Sequence, residues 1–219
     1  MALLLNIETS TTNCSVSLSK NGETLVLKED YSSGYSHAEM LHIFIDDVFK
    51  SSNFEKSDID AIAVSKGPGS YTGLRIGVSS AKGLCFALNK PLLAIDTLKS
   101  LAHQVKVGSG LIVPMLDARR MEVYASIYNS GYELQREIKA DILDENSYAE
   151  ILENNKVYFI GNGVEKTKKI IEHPNAVFIE GKLPSANEMG QLAELKYKIS
   201  DTEDVAYFEP YYLKDFIAK

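Results

Sequence analysis

The sequence is short of positive charge. Its 23 lysines and arginines face 30 aspartates and glutamates, giving a formal net charge of −7 and a pI near 5.2. Such a chain has no general electrostatic hold on a phosphate backbone, so direct nucleic-acid binding would need a local basic patch. Cysteine is also scarce: Cys14 and Cys85 make no disulfide framework and match no metal spacing. No apolar run approaches the ~18 residues of a membrane span. The opening MALLLNIE lacks the length, basic start and cleavage site of a signal peptide and reads as a buried strand. The expectation is a cytoplasmic protein without a membrane partner.

Groups for catalysis are equally sparse. Of four histidines, His37 and His42 stand five apart, which is about 140° around a helix, and His103 and His173 are isolated. There is no G-x-S-x-G nucleophile elbow, and the two cysteines fall in a strand and a helix pattern where they read as buried apolar residues. No pair of acids is singled out by its setting. The expectation is no catalytic residue and no metal.

What is present is a pattern stated twice. Leu3 to Ile7 is an apolar run ending at Glu8. Cys14, Val16 and Leu18 then alternate with serines at strand period, and Asn21-Gly22 is a type I′ hairpin signal before Leu25 and Leu27. From Leu111 another apolar run ends at Asp117; Val123, Ala125 and Ile127 alternate, and Ser130-Gly131 precedes Leu134. Each acid stands fourteen residues before its turn glycine, at an offset of 109 residues. This marks a duplication. Each half continues helix, strand, helix, strand, helix, giving βββαβαβα. The first helix spans 36–50 with Ser36 and Glu39 as a capping box; the last has Ser185 and Glu188. AIAVS, PLLAI and VYFIG read as strands covered on both faces, and GVEKTKKII as a helix. The lobes divide as 1–106 and 107–219, near residues 105–110. The tail YFEPYYLKDFIAK packs back across a surface.

The segment SKGPGSYTGLRIGVSSAKGL, residues 65–84, is the most distinctive. It is neither a Walker loop nor a dinucleotide fingerprint: Gly67, Gly69 and Gly73 are spaced one residue too long for the latter, and no lysine stands in Walker register. In the helix that follows, Gly73, Gly77, Ser80, Ala81, Leu84 and Ala87 form a strip of small or slender residues. Leu74, Val78, Cys85 and Phe86 lie on the other side, and Arg75 and Lys82 keep a charged line. Glycine costs a helix about 1 kcal/mol against alanine, so the strip implies close packing. The packing is either onto helix 36–50 or against a partner.

Two βββαβαβα halves, each with an acid closing the first strand, resemble the actin-like ATPase fold of sugar kinases and heat-shock chaperones. IETSTTNCSVSL, SKGPGSYTGLRIGVSSAKGL, PMLDARRMEVYASIY and PYYLKD together resemble the TsaB (YeaZ) family across the whole chain. The resemblance implies a non-catalytic subunit in bacterial tRNA threonylcarbamoyladenosine synthesis, docking on and activating a TsaD-like transferase. It also implies a TsaE-like ATPase in the assembly, a homodimer when alone, and contact with tRNA only indirectly. The docking face it implies is the helix pair 36–50 and 70–88, with Met40, Phe44, Tyr71, Gly73, Leu74, Arg75, Gly77, Val78, Ala81 and Lys82. The transferase's HxxxH metal pair aligns on Thr97 and Leu101, which cannot replace imidazoles.

The fold also leaves a nucleotide to consider. Glu8, Thr9 and Ser10, with the rest of the turn 9–12, read either as a remnant phosphate loop or as a polar β-turn. Asp117 with Arg119 and Arg120 is the equivalent turn, read as a solvated hairpin with a local ion pair. Glu8, the turn and Asp117 holding metal–ATP would instead make the chain an ATP-dependent phosphotransferase. Otherwise no cofactor is expected, save a nucleotide at the joint with the partner.

Overall fold

The computed structural model describes residues 2–31 and 37–214. The chain opens with an antiparallel meander of β1 (Leu3–Glu8), β2 (Cys14–Lys20) and β3 (Glu23–Asp30). Asn21 and Gly22 both have positive φ, 57° and 82°, as the hairpin turn requires. Then come α1 (His37–Lys50), β4 (Ala61–Gly67), α2 (Tyr71–Leu88), β5 (Leu92–Asp96) and α3 (Thr97–Ala102). The second series is β6 (Leu111–Asp117), β7 (Glu122–Asn129), β8 (Leu134–Ile142), α4 (Ala149–Asn154), β9 (Val157–Ile160), α5 (Val164–Thr167), β10 (Ala176–Ile179) and α6 (Ala186–Lys198).

The sheets are ordered β3-β2-β1-β4-β5 and β10-β9-β6-β7-β8. Replacing each strand by its counterpart turns one order into the other, so the duplication is a property of the topology. In both, the first strand pairs antiparallel with its hairpin neighbour and parallel with the strand after the next helix. The parallel strands β4 and β9 each end near a glycine at high positive φ, Gly67 (112°) and Gly161 (116°). This mixed α/β arrangement is the actin-like fold.

The chain forms two compact units, residues 1–100 with 184–219, and residues 101–183. In the first, Leu5, Ile7, Val16, Leu18, Ile62 and Val64 face α1 and α2, packing with Leu41, Phe44, Ile45, Val78 and Cys85. Ala2, Leu4, Ala61, Ala63, Leu93 and Ile95 point the other way and are covered by Ala186, Met189, Leu192 and Ala193 of α6. A sheet covered on both faces needs continuous apolar runs, and β4 and β5 have them. In the second unit Val113, Met115, Val123, Ala125, Val157 and Phe159 pack with Leu152 and Val164.

Three expectations are corrected or bounded. The division 1–106 and 107–219 differs from the observed units at both ends: residues 101–106 fall in the second unit, and α6 and the tail belong with the first sheet, whose second face would otherwise be bare. The helix read over GVEKTKKII is only the four residues of α5. Ser36 lies outside the described residues, whereas Ser185 caps α6 by accepting from the Asn187 backbone N–H at 3.0 Å.

Candidate functional site

Helix α2 is positioned by its glycines. Ser70 caps it, its Oγ accepting from Gly73 N at 3.2 Å. Thr9 Oγ1 donates to Gly73 O at 2.8 Å. A Cβ on Gly73 would overlap Thr9 O, one on Gly77 would overlap Thr9 Oγ1, and one on Gly69 would overlap Ser10 O. The small residues therefore let α2 lie directly on the turn between β1 and β2. This corrects the docking-face assignment. Gly73, Leu74, Gly77, Val78, Ala81 and Phe44 are buried in the chain's own interior, and Met40 is partly buried against it. Their size serves intramolecular packing, though against the Thr9 turn and not against α1 alone.

The outward face of α2 carries Thr72, Arg75, Ser79, Gly83 and Phe86 at helical spacing. Phe86 is 86% exposed, and Ile43 on the outer side of α1 is 50% exposed. Apart from its own helix turn, Gly83 has no atom of the described residues within 4 Å of where a Cβ would stand, so none of them accounts for a glycine there. Ser80 Oγ and His42 Nε2 meet at 3.4 Å between the two helices. His37, at the start of α1, is buried, with Nε2 2.6 Å from Thr11 O, and burial holds its pKa below the usual imidazole value.

The flank of α2 is covered by the tail. Lys82 Nζ donates to Ala206 O (3.1 Å) and Phe208 O (2.9 Å). Tyr211 N donates to Lys66 O at 2.7 Å, and Tyr71 lies 5.0 Å from the Tyr212 ring. The Arg75 guanidinium sits 4.8 Å over Tyr71. Lys82, expected on the docking face, is thus engaged by the chain itself. The sequence pattern marked the tail as packing but did not say where; Gly67 is the trace of it, since a Cβ there would come within 2.6 Å of Tyr211 O.

The two strand-end acids differ. Glu8 is fully buried; its Oε1 accepts from Ser10 N at 2.7 Å and its Oε2 has no partner among the described residues. Desolvation pushes its carboxyl above the ordinary range. Thr9, Ser10 and Thr11 are buried with it. Asp117 is exposed: its Oδ1 accepts from Arg119 N at 2.6 Å and pairs with Lys166 Nζ at 3.0 Å. Asp117 N donates to Asn162 Oδ1 at 2.8 Å. Lys166 and Asn162 were missed in the sequence, although the G-x-G after β9 parallels the one after β4. Thr97 and Leu101 are both buried, and a Cβ on Gly161 would come within 2.8 Å of Leu101 Cδ2. Among the described residues no three His, Cys, Asp or Glu side chains gather at one point, and no helix is long and apolar enough to cross a membrane.

Residues 32–219 match the family model described as "TsaD: tRNA N6-adenosine threonylcarbamoyltransferase". With the duplicated sheets, this defines the chain as an actin-like α/β protein related to that transferase family. Within it, the chain is 28% identical over 227 residues to the tRNA threonylcarbamoyladenosine biosynthesis protein TsaB of Haemophilus influenzae, covering 97% of this chain and 93% of that one. It is 31% identical to TsaB of Buchnera aphidicola, covering 90% and 95%. A Pseudomonas aeruginosa crystal structure, of a protein described as similar to the peptidase YeaZ, superposes with a TM-score of 0.83 at 27% identity over 98% of this chain and 100% of that one. The chain belongs to the TsaB (YeaZ) family.

Proposed function

We propose that the chain works in tRNA threonylcarbamoyladenosine formation as a non-catalytic subunit that binds and activates a TsaD-like transferase through the outer faces of α1 and α2. The observation that carries this is the pair Gly83 and Phe86: a helix-interior glycine with open space above it, and a phenylalanine held out in solvent one turn later. Both are costly in a monomer and useful under a closely packed second helix. Arg75, Ser79 and Ile43 complete the face. The activating effect is conformational, since a partner shifts an equilibrium by binding one state better than another. In the absence of the transferase the same face joins two copies of the chain. A TsaE-like ATPase enters the same assembly, and the transferase provides the main hold on the tRNA.

The closed setting of Glu8 gives the phosphotransferase alternative little support, because a buried, protonation-prone carboxyl is a poor anchor for metal–ATP. Any nucleotide belongs at the joint with the partner, which Mg-ATP calorimetry on the chain alone and on the complex distinguishes. The primary test is co-purification with the transferase from the same cell. Gly83→Arg and Phe86→Asp are expected to leave the chain folded, by circular dichroism, while abolishing capture of the transferase. Undiminished capture by both variants rules this face out. Gly77→Arg is unsuitable, since its side chain would be driven into Thr9.

A further inference from the structure

The turn joining β6 and β7 holds two charged groups that the fold does not use. The chain has four arginines among its 23 basic residues. Arg75 lies over Tyr71. Arg136 forks onto Asp141 and also donates to Ala125 O at 3.4 Å. The remaining two, Arg119 and Arg120, are adjacent and exposed, and neither guanidinium has a partner among the described residues. A chain that uses lysine almost everywhere keeps arginine where a planar fork has something to grip. At this turn no such group stands among the described residues.

The turn is also held rigid. Lys166 Nζ donates to Arg120 O (2.7 Å) and Glu122 O (3.0 Å) while pairing with Asp117. Ala118 N donates to Glu122 O at 3.0 Å, and Glu122 N to Arg119 O at 3.1 Å. Both arginines take positive φ, 68° and 47°, which glycine or asparagine would adopt at less cost. The pair lies beyond the carboxyl ends of the parallel strands β6 and β9, the side on which open α/β sheets meet their ligands.

Departing from the expectation of indirect contact alone, we infer that Arg119 and Arg120 touch the phosphodiester backbone of the tRNA while the transferase holds it. This rests on the proposed docking role. Guanidinium forks match phosphate oxygens in pairs, and a pair on a rigid turn loses little freedom on binding. With a net charge of −7 the chain has no general electrostatic hold on RNA by itself. Two added contacts on an RNA already tethered by the transferase are strengthened by effective concentration.

The test is the salt dependence of binding of an unmodified tRNA transcript, measured by fluorescence anisotropy between roughly 50 and 200 mM salt. The transferase complex would carry either the parent chain or Arg119→Asn/Arg120→Asn. Asparagine tolerates the left-handed backbone, so the variant keeps the fold, checked by thermal melting. Two lost phosphate contacts lower the slope of log K against log salt by about 1.4 to 1.8, with several-fold weaker binding at the low-salt end and convergence at the high end. Arg119→Lys/Arg120→Lys keeps the parent slope but not the full affinity; if the asparagine pair melts early, the single variants Arg119→Asn and Arg120→Asn are used, each lowering the slope by about 0.7 to 0.9. An unchanged slope in the asparagine variants overturns the inference. So does an unchanged tRNA affinity with weakened transferase binding, which would assign the guanidiniums to carboxylates of a protein partner. Failure of the complex to form counts against the docking role instead; the same variants are then compared on the isolated chain at about 20 mM salt, where equal tRNA binding overturns the phosphate contact.

Discussion

Glu8 shows how a duplicated position can keep its place and change its chemistry. Its counterpart Asp117 stands in solvent, paired with Lys166, whereas Glu8 is sealed under the Thr9 turn with one oxygen unpartnered. The desolvated carboxyl has its folded pKa raised above 4.5. A raised value means the folded state holds the proton more tightly than the unfolded one. The stabilisation is therefore fully present below pH 4.5 and is lost as pH rises through the folded value. Glu8→Gln removes that loss while keeping an oxygen for Ser10 N. Urea denaturation at pH 4 and pH 8 is expected to show the variant gaining on the parent as pH rises, with the larger advantage at pH 8. If the variant is instead less stable at pH 8, the carboxylate is charged and held by something the fold does not supply.

At the level of elements, α2 separates two kinds of helical glycine that look alike in sequence. Gly77 is small because Thr9 Oγ1 stands where its Cβ would go, and Gly83 has no such neighbour. Gly77→Ala is expected to destabilise the isolated chain by roughly 1–3 kcal/mol, the range for overpacking. Gly83→Ala should stabilise it by about 1 kcal/mol, the ordinary helix preference, and weaken transferase binding through lost close approach. Thermal melts of the two variants, with opposite signs, check this; a stabilised Gly77→Ala chain would mean that the Thr9 turn yields. The sequence showed that the strip was small but not what it was small for, because periodicity names a helix face and not its neighbour. The same limit applies to Ser15, Ser17 and Ser19. They alternate like a solvent-facing edge, yet they are buried because Ser15 Oγ accepts from Ala186 N and Ser17 Oγ donates to Ala186 O. By contrast, the meanders, the Asn21-Gly22 turn and the two βββαβαβα series were readable, since each depends on local turn chemistry and strand alternation.

Over the whole molecule, the order of elements follows the duplication but the assignment of α6 does not. Its amphipathic pattern and Ser185 cap are local facts; that it covers the first sheet is decided by which sheet has an uncovered face. The join is specific. Asn13 Nδ2 donates to Pro184 O at 2.9 Å and Ser185 Oγ to Glu29 Oε1 at 2.5 Å, while Met189 and Ala193 cover Leu4, Ala63 and Leu93. Deleting residues 184–219 strips that cover, removing the Ala186 partners of Ser15 and Ser17 and leaving an apolar sheet face in water at about 25 cal/mol per Å² exposed. The second unit keeps its whole sheet and core within 101–183. Hydrogen exchange on the truncated chain is therefore expected to show protection lost in strands β1, β2, β4 and β5 and retained in β6, β7 and β9. Adding the segment 184–219 as a separate peptide should return protection to the first sheet. Strands β1 and β4 that stay protected without it would mean that α1 and α2 alone hold the first sheet, and that the returning helix is dispensable to the fold.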